Sequence, residues 1–84
     1  MANFEINIEH VYSEISDRGR KGRLLLTQTA FGNYRSKIDL RLWTTDASGN
    51  PVPIRGSGLQ LELDEAQKLA VALNELFATE KTQL

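Results

Sequence analysis

The chain of 84 residues has no cysteine. That excludes a disulfide framework, a thiolate nucleophile and a cysteine metal site. It has one histidine, His10, which excludes a zinc site built from several histidines of one chain. With no partner at ligand spacing, His10 reads as a partly buried structural imidazole. No apolar run approaches the roughly 18 residues that a membrane span requires. The opening Met1-Ala2-Asn3-Phe4-Glu5 has neither the basic nor the apolar region of a secretory signal. The expectation is a cytoplasmic protein, nucleoid-associated in a bacterium, with no membrane partner. There is no Walker loop, no GxGxxG behind a strand, and no nucleophile beside a base. Catalysis, a cofactor, a metal and a small-molecule substrate are therefore not expected.

What is present fits one small domain over 1–84 with a thin core. The net charge of −1 conceals a segregation. Residues 1–17 carry four acids and no base; residues 18–55 carry eight bases and two acids, a net of +6; residues 56–84 net −3. A basic middle third under a near-neutral total fits either a polyanion-binding face or a solvated, charge-protected sheet edge.

Alternation of Phe4, Ile6 and Ile8 with polar neighbours predicts a strand over 4–15. The apolar phase shifts at Glu9-His10 to Val11 and Ile15, as a bulge would require. A polar turn over 16–22 leads to a second strand, Arg23 to Phe31, and Gly32-Asn33 marks a tight turn. A third strand runs from Ser36 to Thr45 and a long loop covers 46–58. Leu59, Leu61 and Leu63 alternate as a short fourth strand. Asp64 then caps a helix whose apolar stripe is Ala66, Leu69, Ala70, Leu73, Leu76 and Phe77. The predicted fold class is α+β, a four-stranded antiparallel curved sheet followed by one C-terminal amphipathic helix, β-β-β-β-α. Val71 and Ala72 widen the stripe, which fits a homodimer burying the excess or a monomer with a broad apolar face.

The third strand carries the sharpest signal. Ile38, Leu40 and Leu42 share one face; Asp39, Arg41 and Trp43 share the other. If the apolar face meets the helix, Trp43 and Arg41 stand on the open side. An indole exposed there forgoes roughly 2–3 kcal/mol of burial. Nucleobases would cover it well, since stacking on aromatic rings contributes about 1–3 kcal/mol per base without reading sequence. The alternative is that Trp43 is covered by the protein itself and that Asp39 simply pairs with Arg41. Phe31 and Tyr34 flank the turn, with Arg35 and Lys37 just after it, and basic residues interleaved with aromatics suit a single strand. Arg18, Arg20, Lys21 and Arg23 crowd the first turn, and Arg55 lies in the Gly-Ser-Gly loop. Each of these fits phosphate contact or a solvated loop.

Ile38-Asp39-Leu40-Arg41 with Trp43, then Asp46, Gly49, Pro53 and Arg55, then Gly58-Leu59 leading through Leu61 into the helix, resembles the positive cofactor four family. These are single-stranded-DNA-binding transcriptional coactivators with a bacterial YdbC-like branch. The resemblance covers residues 4–78 and is most specific in the third strand and the following loop. It implies a dimer whose curved sheets hold single-stranded DNA, with RNA as the other candidate strand. By position it places Arg41, Trp43 and Arg55 on the strand-binding surface, joined by Lys21, Phe31, Arg35 and Lys37; the basic and aromatic pattern itself adds Arg20, Arg23 and Tyr34 to the candidate nucleic-acid-binding residues. The loop departs from the family pattern: Val52, Ile54 and Gly56 surround Arg55 where lysines are usual, and one extra residue precedes Leu59. A different class of function, a protein-interaction module anchored by Trp43, fits the same residues.

Overall fold

Five strands and one long helix follow in order in the computed structural model, which describes residues 5–83. Phe4, expected in the first strand, lies outside the described residues. The strands are β1 (Ile6–Asp17), β2 (Arg23–Phe31), β3 (Lys37–Thr45), β4 (Pro51–Pro53) and β5 (Leu59–Leu61), and helix α1 spans Leu63–Gln83. All pairings are antiparallel, in the order β1-β2-β3-β4, with β5 also on β3. The α+β class therefore holds.

The expected loop over 46–58 is more ordered than its composition implied. β4 pairs with Trp43 to Thr45, and β5 with Ile38 to Leu40. Both lie end to end along one edge of β3, and together they make an interrupted fourth strand. The interruption falls opposite Arg41 and Leu42. There the Ser57 hydroxyl oxygen accepts from Leu42 N at 3.1 Å, and Ile54 N donates to Leu42 O at 2.9 Å. The backbone of Leu42 is satisfied although no strand residue faces it.

The bulge expected near Glu9-His10 is present, and two more follow: the β1–β2 register shifts between Ile8 and His10, Val11 and Ser13, and Glu14 and Ser16. Each bulge bends and twists the strand, so β1 coils along its length. β2 coils with it. Side chains two apart on an extended strand diverge from Cα atoms about 6.6 Å apart, yet the Thr27 and Thr29 hydroxyls meet at 2.6 Å. They converge because they line the concave side. The ends of β2 are about 26 Å apart along an extended strand. Nevertheless the ring of Phe31, at one end, lies 6.4 Å from the ring of Trp43, which pairs with Arg23 at the other.

This curl inverts the faces that alternation alone assigned. The side with Asp39, Arg41 and Trp43 is the concave, buried one: Trp43 is 2% exposed, and Thr27, Thr29 and Asp39 are fully buried. Ile38, Leu40 and Leu42 take the other side and are half-buried. His10 is likewise exposed rather than partly buried, with its ring edge-on to Tyr12 at 4.8 Å.

The start of α1 lies two residues earlier than expected. Glu62, not Asp64, is the cap: its carbonyl accepts from Ala66 N at 2.9 Å, and its N–H donates to the Glu65 carboxylate at 2.8 Å. This is the reciprocal half of a capping box. Asp64 sits in the first turn, where its charge favours the helix dipole. The helix touches β3 and β5 lightly, and Leu69, Leu73, Leu76 and Phe77 remain exposed. The radius of gyration, 15.2 Å, exceeds the roughly 12 Å of a compact chain of this length.

Candidate nucleic-acid interface

The residues singled out by sequence fall into three groups. In the first, Phe31, Arg41 and Trp43 meet on the concave side. The Phe31 and Trp43 rings are nearly parallel, 14° apart. The Arg41 guanidinium stands 4.6 Å from the centre of the Phe31 ring. Its Nε donates to both Asp39 carboxylate oxygens, at 2.9 and 2.8 Å, and Nη2 approaches Oδ1 at 2.7 Å. Arg41 is 18% exposed and Asp39 fully buried. Gly58 lies over this guanidinium, where a Cβ would collide with Arg41 Cζ and Nε. Any side chain at position 58 displaces the arginine.

Trp43 is thus not an exposed stacking platform, contrary to the expectation from alternation. The curl of the sheet brings Phe31 and the β1–β2 turn against it. At that turn Gly22 adopts φ +102°, and a Cβ there would lie 2.8 Å from Trp43 O and 2.7 Å from Ile54 Cδ1. The indole Nε1 is buried without an acceptor. Arg41 is likewise committed to Asp39 rather than directed to solvent. The simpler alternative held at both positions: self-coverage for the ring and an internal partner for the cation.

The second group lies at the turn between β2 and β3. Phe31 O accepts from Tyr34 N at 3.1 Å across Gly32-Asn33, the tight turn that the sequence marked. This turn lifts Tyr34 clear of the sheet, 74% exposed. Arg35 and Lys37 follow, and both reach Glu62. Arg35 Nη2 donates to the two Glu62 oxygens at 3.1 and 3.0 Å, and Lys37 Nζ stands 3.3 Å from Oε1. The Lys37 hydrogen bond foremost, then the Arg35 charge, holds the Glu62 carboxyl below its ordinary range. Gln28, Arg35, Ser36, Lys37, Ile38 and Leu61 border an open groove of about 230 Å³ beside these groups.

The third group lies at the opposite end of the ladder. Arg20 and Lys21 occupy a single 3-10 turn (Gly19–Lys21) between β1 and β2, both exposed. Asp17 shapes that turn by accepting from Gly19 N at 2.9 Å. Arg23 opens β2 and pairs with Glu14 across the β1–β2 ladder. Arg55 is exposed in the turn that Ser57 N closes on Ile54 O at 3.2 Å. Beside this end, Asp17, Gly22, Arg23, Trp43, Thr45 and Pro51 border a cleft of about 210 Å³.

Sequence reasoning missed Glu14 and Glu62 as partners of the basic residues. Neither is close in sequence to its partner, and only the register brings them together. Opposite charge at neighbouring ladder positions, diagonal for Glu14 and Arg23 and, by extension of the β5 register, facing for Glu62 and Lys37, is the available signal once a register is assumed.

Comparison of the chain with protein-family models, with curated proteins and with solved structures finds no match in any of the three. Among the described residues, no helix is long and apolar enough to cross a membrane.

Proposed function

We propose that the protein binds single-stranded nucleic acid, DNA before RNA, without reading sequence and without catalysis, and that it does so as a homodimer. The observation that carries this reading is the exposed Tyr34 ring followed directly by Arg35 and Lys37 at the rim of the curled sheet. An exposed ring offers a stacking surface to any unpaired base, and adjacent cations follow the phosphates. Arg20, Lys21 and Arg55 add cations at the other end of the ladder, with Arg23 near them. The residue roles differ from those that the positive cofactor four resemblance implied. Tyr34 stacks, while Trp43, Phe31 and Arg41 form the rigid floor that holds the rim in shape.

Support for the dimer comes from surface. The chain exposes 6723 Å², whereas a compact monomer of 9.4 kDa exposes about 5,000 Å². The apolar stripe of α1 accounts for part of that excess, and a second copy of the same stripe is its simplest cover.

The test is fluorescence anisotropy with labelled oligothymidylate, oligouridylate and a duplex of equal length, each at two salt concentrations. The expected order is single strand over duplex, with affinity falling steeply as salt rises because phosphate neutralisation releases counterions. Tyr34→Ala weakens single-strand binding by about 1–3 kcal/mol if the ring stacks. Equal affinity for duplex and single strand refutes the stacking mechanism.

A further inference from the structure

We infer that Glu62 is an internal stand-in for a phosphate, occupying the Arg35–Lys37 site in the free protein and giving it up to one phosphodiester of the incoming strand. The inference rests on the single-strand reading above and adds a residue that sets affinity at the rim. One carboxylate is held there by two cations, with Arg35 reaching both of its oxygens at 3.1 and 3.0 Å and Lys37 reaching one at 3.3 Å. A phosphodiester also presents two anionic oxygens on one atom, and the guanidinium, which holds Glu62 through Nη2 alone, can take them with its two-nitrogen fork.

The exchange is cheap because the group is wet. The side chains of Arg35, Lys37 and Glu62 are 75%, 34% and 43% exposed, and exposed pairs of this kind contribute little to stability. The buried Arg41–Asp39 pair, 18% and 0% exposed, is the contrasting case. Its charges have left water and cannot be exchanged without stranding one of them. There is also room. The open groove of about 230 Å³ beside the cluster is bordered by Gln28 and Ser36 as well as by Ile38, Leu61 and Leu63, so a strand lying there meets both polar and apolar groups. Position matters too: Glu62 sits two residues beyond Gln60, which faces Asp39. The β5 register therefore carries Glu62 to Lys37, on the rim that Tyr34 shares.

The test is a cycle of variants titrated against labelled oligothymidylate by anisotropy. Glu62→Gln keeps the side-chain shape and removes the competitor, so binding tightens about two- to fivefold, the range expected for an exposed pair. Arg35→Gln with Lys37→Gln weakens binding, and adding Glu62→Gln to that double variant changes nothing further. Glu62→Asp keeps the charge but is one methylene too short to hold both cations. It also tightens binding, and it serves if the glutamine variant melts early. Equal tightening by Glu62→Gln in the parent and in the double variant would mean a general charge effect and overturns the inference. Unchanged affinity in Glu62→Gln overturns it as well, while the single-strand reading stands. If neither the parent nor any variant binds the oligomer at low salt, the single-strand reading itself falls and takes this inference with it.

Discussion

The Arg41 guanidinium lies 4.6 Å from the centre of the Phe31 ring while its Nε holds both oxygens of the buried Asp39 carboxylate. The cation is therefore satisfied at its edge by a charge and on its face by a ring. Two threonines, an aspartate and an arginine share the most enclosed part of the molecule with one tryptophan. Such an interior specifies its geometry through partners rather than through volume alone.

Removing one partner of that pair is costly. Asp39→Ala leaves the Arg41 charge in a pocket that water reaches poorly, and a broken buried pair costs about 3–5 kcal/mol. In a chain this small that approaches the whole stability. Urea denaturation followed by Trp43 fluorescence measures it, and a loss below about 1 kcal/mol would mean that the pair is solvated as an exposed one is.

Trp43→Ala removes the largest side chain of the enclosed cluster and is expected to cost about 3–5 kcal/mol. Trp43→Phe costs less. It keeps a ring opposite Phe31 and removes an indole N–H that has no acceptor, whose burial is itself unfavourable. Thermal melts of both variants by circular dichroism give the order. A Trp43→Ala protein as stable as the parent would contradict the burial of this ring.

The strands and the helix were legible because alternation and helical spacing are local signals. Ile38 to Trp43 reads as a strand whichever side is buried. Which side that is depends on curvature, and curvature arises from three bulges in β1 of which the sequence marked one, at Glu9-His10. For that reason the Trp43 ring was expected in the open and lies inside. Pro51 and Pro53 disguised β4 as loop; it is tolerated because it is a three-residue edge segment, where a proline forfeits no ladder bond. At the rim, Tyr34, Arg35 and Lys37 could be named from sequence, but Glu62 could not, since its partnership is a product of β5 register.

Gly22→Ala is expected to destabilise on two counts. The position holds φ +102°, which L side chains rarely adopt, and an added Cβ would press on the Trp43 carbonyl at 2.8 Å. The second obstacle is backbone and cannot swing aside, so the turn must shift. A loss of about 1–3 kcal/mol in denaturation is expected. Gly19 has space around it, so Gly19→Ala meets backbone strain alone and costs less; equal losses at the two sites would leave the contact with Trp43 without a role.

Acid should weaken the fold at two identifiable carboxylates. Glu62 is held below its ordinary 4.5 by the Lys37 hydrogen bond first and then the Arg35 charge. Asp46 is held below 3.8 by the backbone N–H of Asn50 first, with that of Ser48 contributing. Both folded-state values are depressed, so their stabilisation is full above those ordinary values and is lost as pH falls through the folded ones. Denaturation midpoints measured from neutral pH downward should decline more steeply in the parent than in Glu62→Gln or Asp46→Asn. Parallel profiles for parent and variants would show that neither carboxylate is tied to the fold.

The apolar stripe of α1 makes the last prediction. Leu69, Leu73, Leu76 and Phe77 recur at helical spacing on one face and are 41%, 43%, 52% and 56% exposed in the single chain. Helices in proteins draw most of their stability from packing one face, and within the single chain this face has little to pack against. In the proposed homodimer a second copy would supply matching leucines by two-fold symmetry. Leu76→Asp places a charge in that seam, at a side chain that is half exposed in the single chain. Sedimentation equilibrium should give twice the chain mass for the parent and a concentration-dependent fall toward one chain for the variant. Parent protein that sediments as one chain at every concentration would leave the stripe to some other cover, and the excess surface would lose the explanation offered for it.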